Sequence, residues 1–266
     1  IIIDRPSNTE VAQAAIFVLG NADDKVVSTG GTGDRFEFVP QGYRGTDDLL
    51  LSDQSFGNDV IVDLARRDPE FSKTDDVIFL KGVASIDELE MTRTSVGREG
   101  NTSLKIQTTI ESDGTINDGE ITVFKQFDPL VNRFAVEKLE IENLSGEIQV
   151  WSLPTVSAIR DGRKIVDTVI ESNIGDTGRA IFIGNDVGQS KFKLASETSS
   201  EDVAFGGLTN FDIKFINWKE GDTVDLSSIG LASDYMISAG VLLEPSGGSS
   251  FALDEGGKIS VTNPGY

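Results

Sequence analysis

Hydrophobic and polar residues alternate over short stretches along much of the chain. Apolar side chains fall at every second position in residues 104–106, 121–123, 139–141 and 211–215. Because successive side chains of a strand point to opposite faces, this pattern predicts strands with one buried face. Turn signals such as Asp113-Gly114 and Asp161-Gly162 separate the apolar stretches and favour tight reversals. The pattern predicts a mainly β chain.

Helical signals are sparse. Thr9 could cap a short helix over residues 9–19, but the β-prone residues 16–18 favour a strand there at least as strongly. Residues 86–89 predict a single helical turn. The helical content is therefore expected to be small.

Changes in amino-acid composition along the chain suggest how it is divided into regions. Residues 16–83 and 170–230 are rich in Gly and Asp, whereas residues 84–153 alternate more regularly. We expect an all-β fold that combines degenerate β-roll or solenoid-like turns with an antiparallel β meander or sandwich. The expected division is an N-terminal region, 1–153, and a second, weakly related region, 154–266, with one continuous domain as the alternative.

The charge balance is strongly acidic. The chain has 23 Lys and Arg against 44 Asp and Glu, a formal net charge of −21. Such a surface repels phosphates and anionic lipids, so we expect neither a nucleic-acid partner nor membrane insertion. Bound cations would relieve the self-repulsion, and calcium prefers oxygen ligands. A solvated acidic surface explains the composition equally well.

Two residue types are absent from the chain. It contains no histidine and no cysteine, which excludes a Ser-His-Asp triad, a histidine-based zinc site and thiol catalysis. Acidic pairs abound, but nothing in the sequence marks one of them as catalytic. We expect a protein that is not an enzyme.

Glycine-containing turns carry the candidate chemistry. In residues 20–26, 30–38, 57–62 and 218–227, an aspartate follows the glycine and an apolar residue comes two places later. Glycines allow positive φ and can aim carbonyl oxygens inward, while the aspartate adds a carboxylate. A plain turn is the competing interpretation of each. The candidate calcium ligands are Asp24, Gly31, Gly33, Asp34, Asp59 and Asp222.

These turns resemble a known family. The stretch Gly30-Gly31-Thr32-Gly33-Asp34-Arg35-Phe36 resembles the nonapeptide G-G-x-G-x-D-x-U-x of the RTX (repeats-in-toxin) proteins, with one residue fewer before Asp34. Residues 218–227, W-K-E-G-D-T-V-D-L-S, resemble the ending of haemolysin- and serralysin-like calcium-binding regions. The resemblance implies a β-roll that binds Ca²⁺, type I secretion, and folding outside the cell.

The function expected from these observations is non-enzymatic. We expect a calcium-stabilised extracellular structural or adhesive module of a secreted surface protein, such as an adhesin, surface layer or fibre subunit. Its candidate partners are calcium, cell-surface glycans and further copies of itself. The alternative is a carbohydrate-binding module of a secreted polysaccharide-processing enzyme, in which Trp151 and Trp218 would stack on sugars, although their apolar contexts favour the core. A phage or filament subunit without calcium is a third hypothesis.

Overall fold

The fold is known from a computed structural model. It describes residues 15–19, 23–28, 33–39, 57–63, 75–83, 85–95, 102–108, 111–112, 115–116, 119–129, 136–143, 145–173, 178–195, 212–219, 221–225, 235–238, 241–243 and 258–262.

The regular structure of these residues consists of strands and one 3₁₀ turn, Ile86–Glu88. The strands are β1 Ile16–Leu19, β2 Lys25–Ser28, β3 Arg35–Phe38, β4 Asn58–Asp63, β5 Val77–Lys81, β6 Leu89–Thr94, β7 Ser103–Thr108, β8 Glu111–Ser112, β9 Thr115–Ile116, β10 Glu120–Val123, β11 Lys138–Glu142, β12 Ile148–Ser152, β13 Thr155–Asp161, β14 Lys164–Asn173, β15 Arg179–Ile183, β16 Lys191–Ala195, β17 Asp212–Ile216, β18 Thr223–Asp225, β19 Tyr235–Ser238, β20 Val241–Leu243 and β21 Lys258–Thr262.

The all-β expectation is confirmed. The four alternating segments form β7, β10, β11 and β17, and the single helical turn is present. Residues 16–19 form a strand, because their β-prone side chains alternate between exposed and buried positions. Thr9, the candidate helix cap, lies outside the described residues.

The chain divides into two compact units, residues 1–150 and residues 151–266. The sequence had suggested a division after residue 153. In the first unit, β1 to β5 alternate between two sheets. β1, β3, β5 and β11 are parallel neighbours in one sheet, and β2, β4 and β10 are parallel neighbours in the other. Each coil of chain therefore adds one strand to each sheet, which is the arrangement of a two-sheet roll.

An antiparallel segment is built onto the second of these sheets. β7 pairs with both β10 and β6 in antiparallel register. It lies in the part of the sequence where regular alternation predicted an antiparallel meander. The first unit thus combines roll-like coils with antiparallel strands.

Rows of apolar side chains hold successive coils of the first unit together. The register stacks equivalent positions of β1, β3, β5 and β11, so that buried residues lie beside buried residues. Each such side chain contributes roughly 1.5–3 kcal/mol on burial. The two rows are Phe17, Phe36, Ile78 and Leu139, and Leu19, Phe38, Leu80 and Ile141.

The second unit repeats the alternation. β15, β17 and β21 are parallel neighbours, and β14, β16 and β18 form the other parallel set, with the β13–β14 hairpin at one side. Phe192 of β16 packs edge-on against Phe182 and Phe215, with ring centroids 5.5 and 5.3 Å apart. The core of this unit therefore lies between its two sheets.

Candidate functional site

Asp34 lies immediately before β3 and is 1% exposed. Its turn depends on Gly33, whose φ of 77° is a conformation that side chains with a Cβ rarely adopt. Oδ1 accepts a hydrogen bond from the N–H of Ala15 at 2.7 Å, and Oδ2 accepts one from the hydroxyl of Ser28. Both carboxylate oxygens are thus bound by the protein itself.

This arrangement recurs from coil to coil. Ala15, Asp34, Asp76 and Glu137 each directly precede a strand of the first sheet. The N–H of Asp34 donates to Oδ1 of Asp76 at 2.7 Å, and the N–H of Asp76 donates to Oε2 of Glu137 at 2.9 Å. We call each bond from a main-chain N–H to the carboxylate of the equivalent residue one coil later a rung. These rungs form a ladder along the edge of the roll.

A further rung lies on the second sheet of the same unit. The N–H of Asp24 donates to Oδ1 of Asp59 at 2.9 Å, and Asp24 and Asp59 hold equivalent positions because Lys25 is in register with Val60. One residue earlier, the N–H of Asn58 donates to Oδ1 of Asp23 at 2.9 Å. We call Asp23, Asp24 and Asp59 the Asp59 turn.

Asp59 differs from Asp34 in what its second oxygen meets. The residue is 1% exposed, and among the described residues Oδ2 has no hydrogen-bond partner. The pKa of the Asp59 carboxyl is raised to about 7, chiefly by burial and also by the charges of Asp24 and Asp23, while the hydrogen bond from the N–H of Asp24 opposes the rise. The Asp59 turn therefore holds a buried carboxylate whose negative charge is poorly compensated.

Asp222 supplies the corresponding rung of the second unit. It is fully buried, and Oδ1 accepts from the N–H of Ser190 at 2.5 Å while Oδ2 accepts from the N–H of Lys219 at 2.9 Å. Burial raises the pKa of Asp222, against the opposing effects of these two N–H groups and the Lys219 charge. Unlike Asp59, this carboxylate has a donor on each oxygen.

A lysine supplies positive charge to the neighbouring loop. The ammonium of Lys219 donates to the carbonyl of Asn185 at 2.7 Å and to that of Asp186. The side-chain amide of Asn217 also reaches this loop, at 3.1 Å from the carbonyl oxygen of Asn185. Asp186 itself lies in this loop, between β15 and β16. The main-chain carbonyls of Asn185 and Asp186 thus accept hydrogen bonds from the ammonium group of Lys219.

The predicted ligands thus fall into separate places. Asp24 and Asp59 come together, Asp34 joins Asp76, and Asp222 belongs to the other unit. Gly31 lies outside the described residues. Across the part of the chain that the structure describes, no group of three or more acidic side chains is arranged to hold a metal ion.

Two members of the ladder, Asp76 and Glu137, were not among the residues predicted from the sequence. No glycine turn of the expected kind precedes them. Each does stand directly before an alternating apolar strand, and that position is the signal that could have identified them. The rungs at Asp34, Asp76, Glu137 and Asp222 share a carboxylate one residue before a strand, whereas Asp59 is the second residue of β4.

Both tryptophans are core residues. Trp151 is 2% and Trp218 is 3% exposed, and the Trp218 ring stacks on Phe192 with centroids 5.3 Å apart. Neither offers a free ring face for a sugar to stack upon. The core interpretation of these residues is confirmed.

Comparison with protein-family models, curated proteins and solved structures finds no match to the chain. Within the described ranges, no helix has the length and apolar character needed to cross a membrane.

Proposed function

We propose that this chain is a calcium-stabilised, non-enzymatic structural or adhesive module of a secreted surface protein. The observation that carries the proposal is the set of rungs, in which buried or half-buried carboxylates bind the main chain of the neighbouring coil. A carboxylate used in this way fixes the position of a strand. The chemistry of the turns therefore supports a scaffold.

The Asp59 turn is the place in this scaffold that best fits calcium. Calcium takes carboxylate and carbonyl oxygens at 2.3–2.6 Å, commonly six to eight of them. Asp59 offers a buried Oδ2 that no described residue contacts by a hydrogen bond, beside two further acidic residues. A divalent cation there would neutralise the charge that burial and the Asp23 and Asp24 carboxylates make unfavourable. The remaining ligands would come from water and main-chain carbonyls.

Asp34 and Asp222 take a different role in this proposal. Each has a hydrogen-bond donor on both oxygens, so neither needs a cation to compensate its charge. We therefore narrow the calcium site from the ligands suggested by the sequence to the single carboxylate of Asp59, since Asp23, Asp24 and Asp59 do not form a three-carboxylate metal site among the described residues. Extracellular placement and type I secretion rest on the RTX resemblance. Calcium-dependent folding is consistent with that placement, because calcium is millimolar outside the cell.

Thermal unfolding in the presence of calcium or a chelator tests the proposal. Calcium should raise the melting temperature of the chain, and the Asp59→Asn variant should lose most of that rise because the anionic ligand is gone. Glu90→Gln is a matched control, since it also removes one charge from the first unit at an exposed position. It should respond to calcium as the unmodified chain does.

Two results would contradict parts of the proposal. An unchanged melting temperature in chelator would reject calcium stabilisation and favour a scaffold held by the rungs alone. A calcium response that persists in Asp59→Asn would place the ion elsewhere. Magnesium serves as the competing cation, since it demands near-octahedral geometry and dehydrates reluctantly.

A further inference from the structure

The hairpin of β13 and β14 extends beyond the sheet that carries it. β14 pairs with β16 only through residues 170–173, whereas its pairing with β13 continues from Glu171 to Lys164. Residues 159–164 are all exposed. An isolated two-stranded ribbon is marginally stable in water. The exposed end of this hairpin therefore adds little to the stability of the fold, which suggests a role in binding.

The hairpin tip has an unusual composition for this chain. Arg160, Arg163 and Lys164 lie within five residues, and Asp161 is the single acidic residue in that stretch. The chain as a whole has almost twice as many acidic as basic residues. Among the described residues, no ion pair engages these three side chains. The tip is therefore a local positive patch with its cations free to contact a partner.

Apolar side chains flank the positive patch. Ile159 is 43% and Val166 is 53% exposed, and the register shifts between Ile159 and Arg160, as in a β-bulge. Bulges increase the local twist of a ribbon and re-aim its side chains. An apolar contact beside ionic ones is typical of a protein interface, whose centre is depleted of charge and whose rim is polar.

The base of the hairpin is fixed. Lys191 of β16 forms an ion pair with Asp167, and the hydroxyl of Ser157 donates to Oε2 of Glu171 at 2.6 Å. Val156 and Ile170 are buried at the same end. The tip is thus presented from an anchored base, which reduces the ordering that binding would require.

We propose that the hairpin tip, residues 159–166, docks onto an acidic surface of a second copy of this chain. Charge complementarity selects the occupant: a copy carries a net charge of −21, and the tip is a positive element that such a surface attracts. At physiological salt the Debye length is about 8 Å, so the repulsion between whole molecules is screened while contacts at the tip persist. Ile159 and Val166 favour a protein surface over an anionic polysaccharide.

The hairpin tip contains no residue of the Asp59 turn, and the calcium proposal names no residue of the tip. The two ideas can therefore fail separately. Self-association through the tip would make the module a component of ordered assemblies rather than an isolated unit.

Sedimentation velocity over a concentration series tests the self-association. The unmodified chain should form dimers or larger species at physiological salt, and 1 M salt should weaken them. The triple variant Arg160→Glu, Arg163→Glu, Lys164→Glu should weaken association by about tenfold, because each exposed ion pair contributes a few-fold. Arg160→Lys with Arg163→Lys keeps the charge and should associate normally. A monomeric unmodified chain at every concentration would overturn the proposal.

Site-specific crosslinking tests where the contact lies. Because the chain has no cysteine, Asp161→Cys carries a photoreactive label at the tip alone, and Glu90→Cys places the same label at a distant exposed position. Crosslinked dimers should form from the label at 161 only. Equal crosslinking from both positions would overturn the proposal. So would tip-dependent binding of heparin by a monomeric chain, which would identify an anionic polysaccharide as the partner.

Discussion

The turns at Asp59 and Asp222 place the same side chain in the same kind of environment, but with different partners. Both residues are at most 1% exposed, and each accepts the N–H of an equivalent residue on a neighbouring coil. Asp222 receives a second N–H, from Lys219, and Lys219 also brings a positive charge. Within the described ranges, Asp59 receives no second donor, and it faces two further acidic residues.

Burial alone therefore does not determine how a turn carboxylate affects the stability of the fold. A buried anion with a donor on each oxygen acts as a cross-link between coils. A buried anion with one donor and acidic neighbours opposes folding unless a proton or a cation joins it. The same substitution should therefore have opposite effects at the two positions.

The largest effect is expected at Asp222. Asp222→Ala leaves the N–H groups of Ser190 and Lys219 without their acceptor in a buried place, so the free energy of unfolding should fall by about 3 kcal/mol. Chemical denaturation measures the change. Asp222→Asn retains one acceptor oxygen and should lose roughly half as much. Equal stability of the Ala variant and the unmodified chain would show that the second unit does not depend on this rung.

The opposite sign is expected at Asp59. In chelator at pH 8, Asp59→Asn should raise the free energy of unfolding by about 2 kcal/mol, because the amide oxygen still accepts from Asp24 while the buried charge is removed. The folded pKa of Asp59 lies near 7, above its ordinary value of 3.8. The folded state therefore binds more protons than the unfolded state between these values, and the stability contributed by Asp59 falls as pH rises from about 4 to about 7.

The pH dependence provides the control for this variant. The gain from Asp59→Asn should be largest at pH 8 and should vanish near pH 4, where the Asp59 carboxyl is protonated in the fold. Urea denaturation of both proteins at several pH values measures the difference. A gain that is the same at pH 4 and pH 8 would mean that charge is not its cause.

Calcium should act on the same group with an effect of similar size. At ten times its Kd, a ligand specific for the folded state stabilises it by about 1.4 kcal/mol. Because calcium must displace the proton from Asp59, its apparent affinity should rise with pH through about 7. Titration calorimetry in buffers of different ionisation enthalpy should detect the released proton at pH 6 and less of it at pH 8. Absence of proton release at pH 6 would separate calcium from Asp59.

The smallest effect is expected for an exposed pair. A hydrogen bond from Lys191 lowers the pKa of Asp167, and the N–H of Thr168 lowers it further. The Lys191 and Asp167 side chains are 57% and 38% exposed, so Asp167→Asn should cost about 0.5 kcal/mol or less. Denaturation in low and high salt measures it. A loss as large as that at Asp222 would mean that exposure does not weaken a carboxylate contact here.

Much of the fold could be predicted because it depends on local pattern. Alternation identified β7, β10, β11 and β17, since a strand with one buried face leaves a period of two in the sequence. The parallel pairing of strands within each sheet could not be predicted from the sequence in the same way. Pairing partners such as β5 and β11 lie far apart in the chain, and nothing local specifies them.

The candidate site shows the same limit. Asp24, Asp34, Asp59 and Asp222 were identified by the turn pattern, and all four are residues of rungs. What each oxygen meets depends on the neighbouring coil, so the contrast between Asp59 and Asp222 could not be predicted from the turns. Asp76 and Glu137 were missed for a related reason, because their role comes from register rather than from glycine.

The ladder of the first unit joins residues that are separated by very different lengths of chain. Its three rungs span 19, 42 and 61 positions, yet each sets the next strand in the same register. Closing a longer loop adds little entropy cost, since each doubling of its length adds only about 0.6 kcal/mol. Residues inserted into the connections between rungs should therefore leave the strands in register. Such a frame suits grafting, because a foreign peptide placed between two rungs should be displayed while the core stays in place.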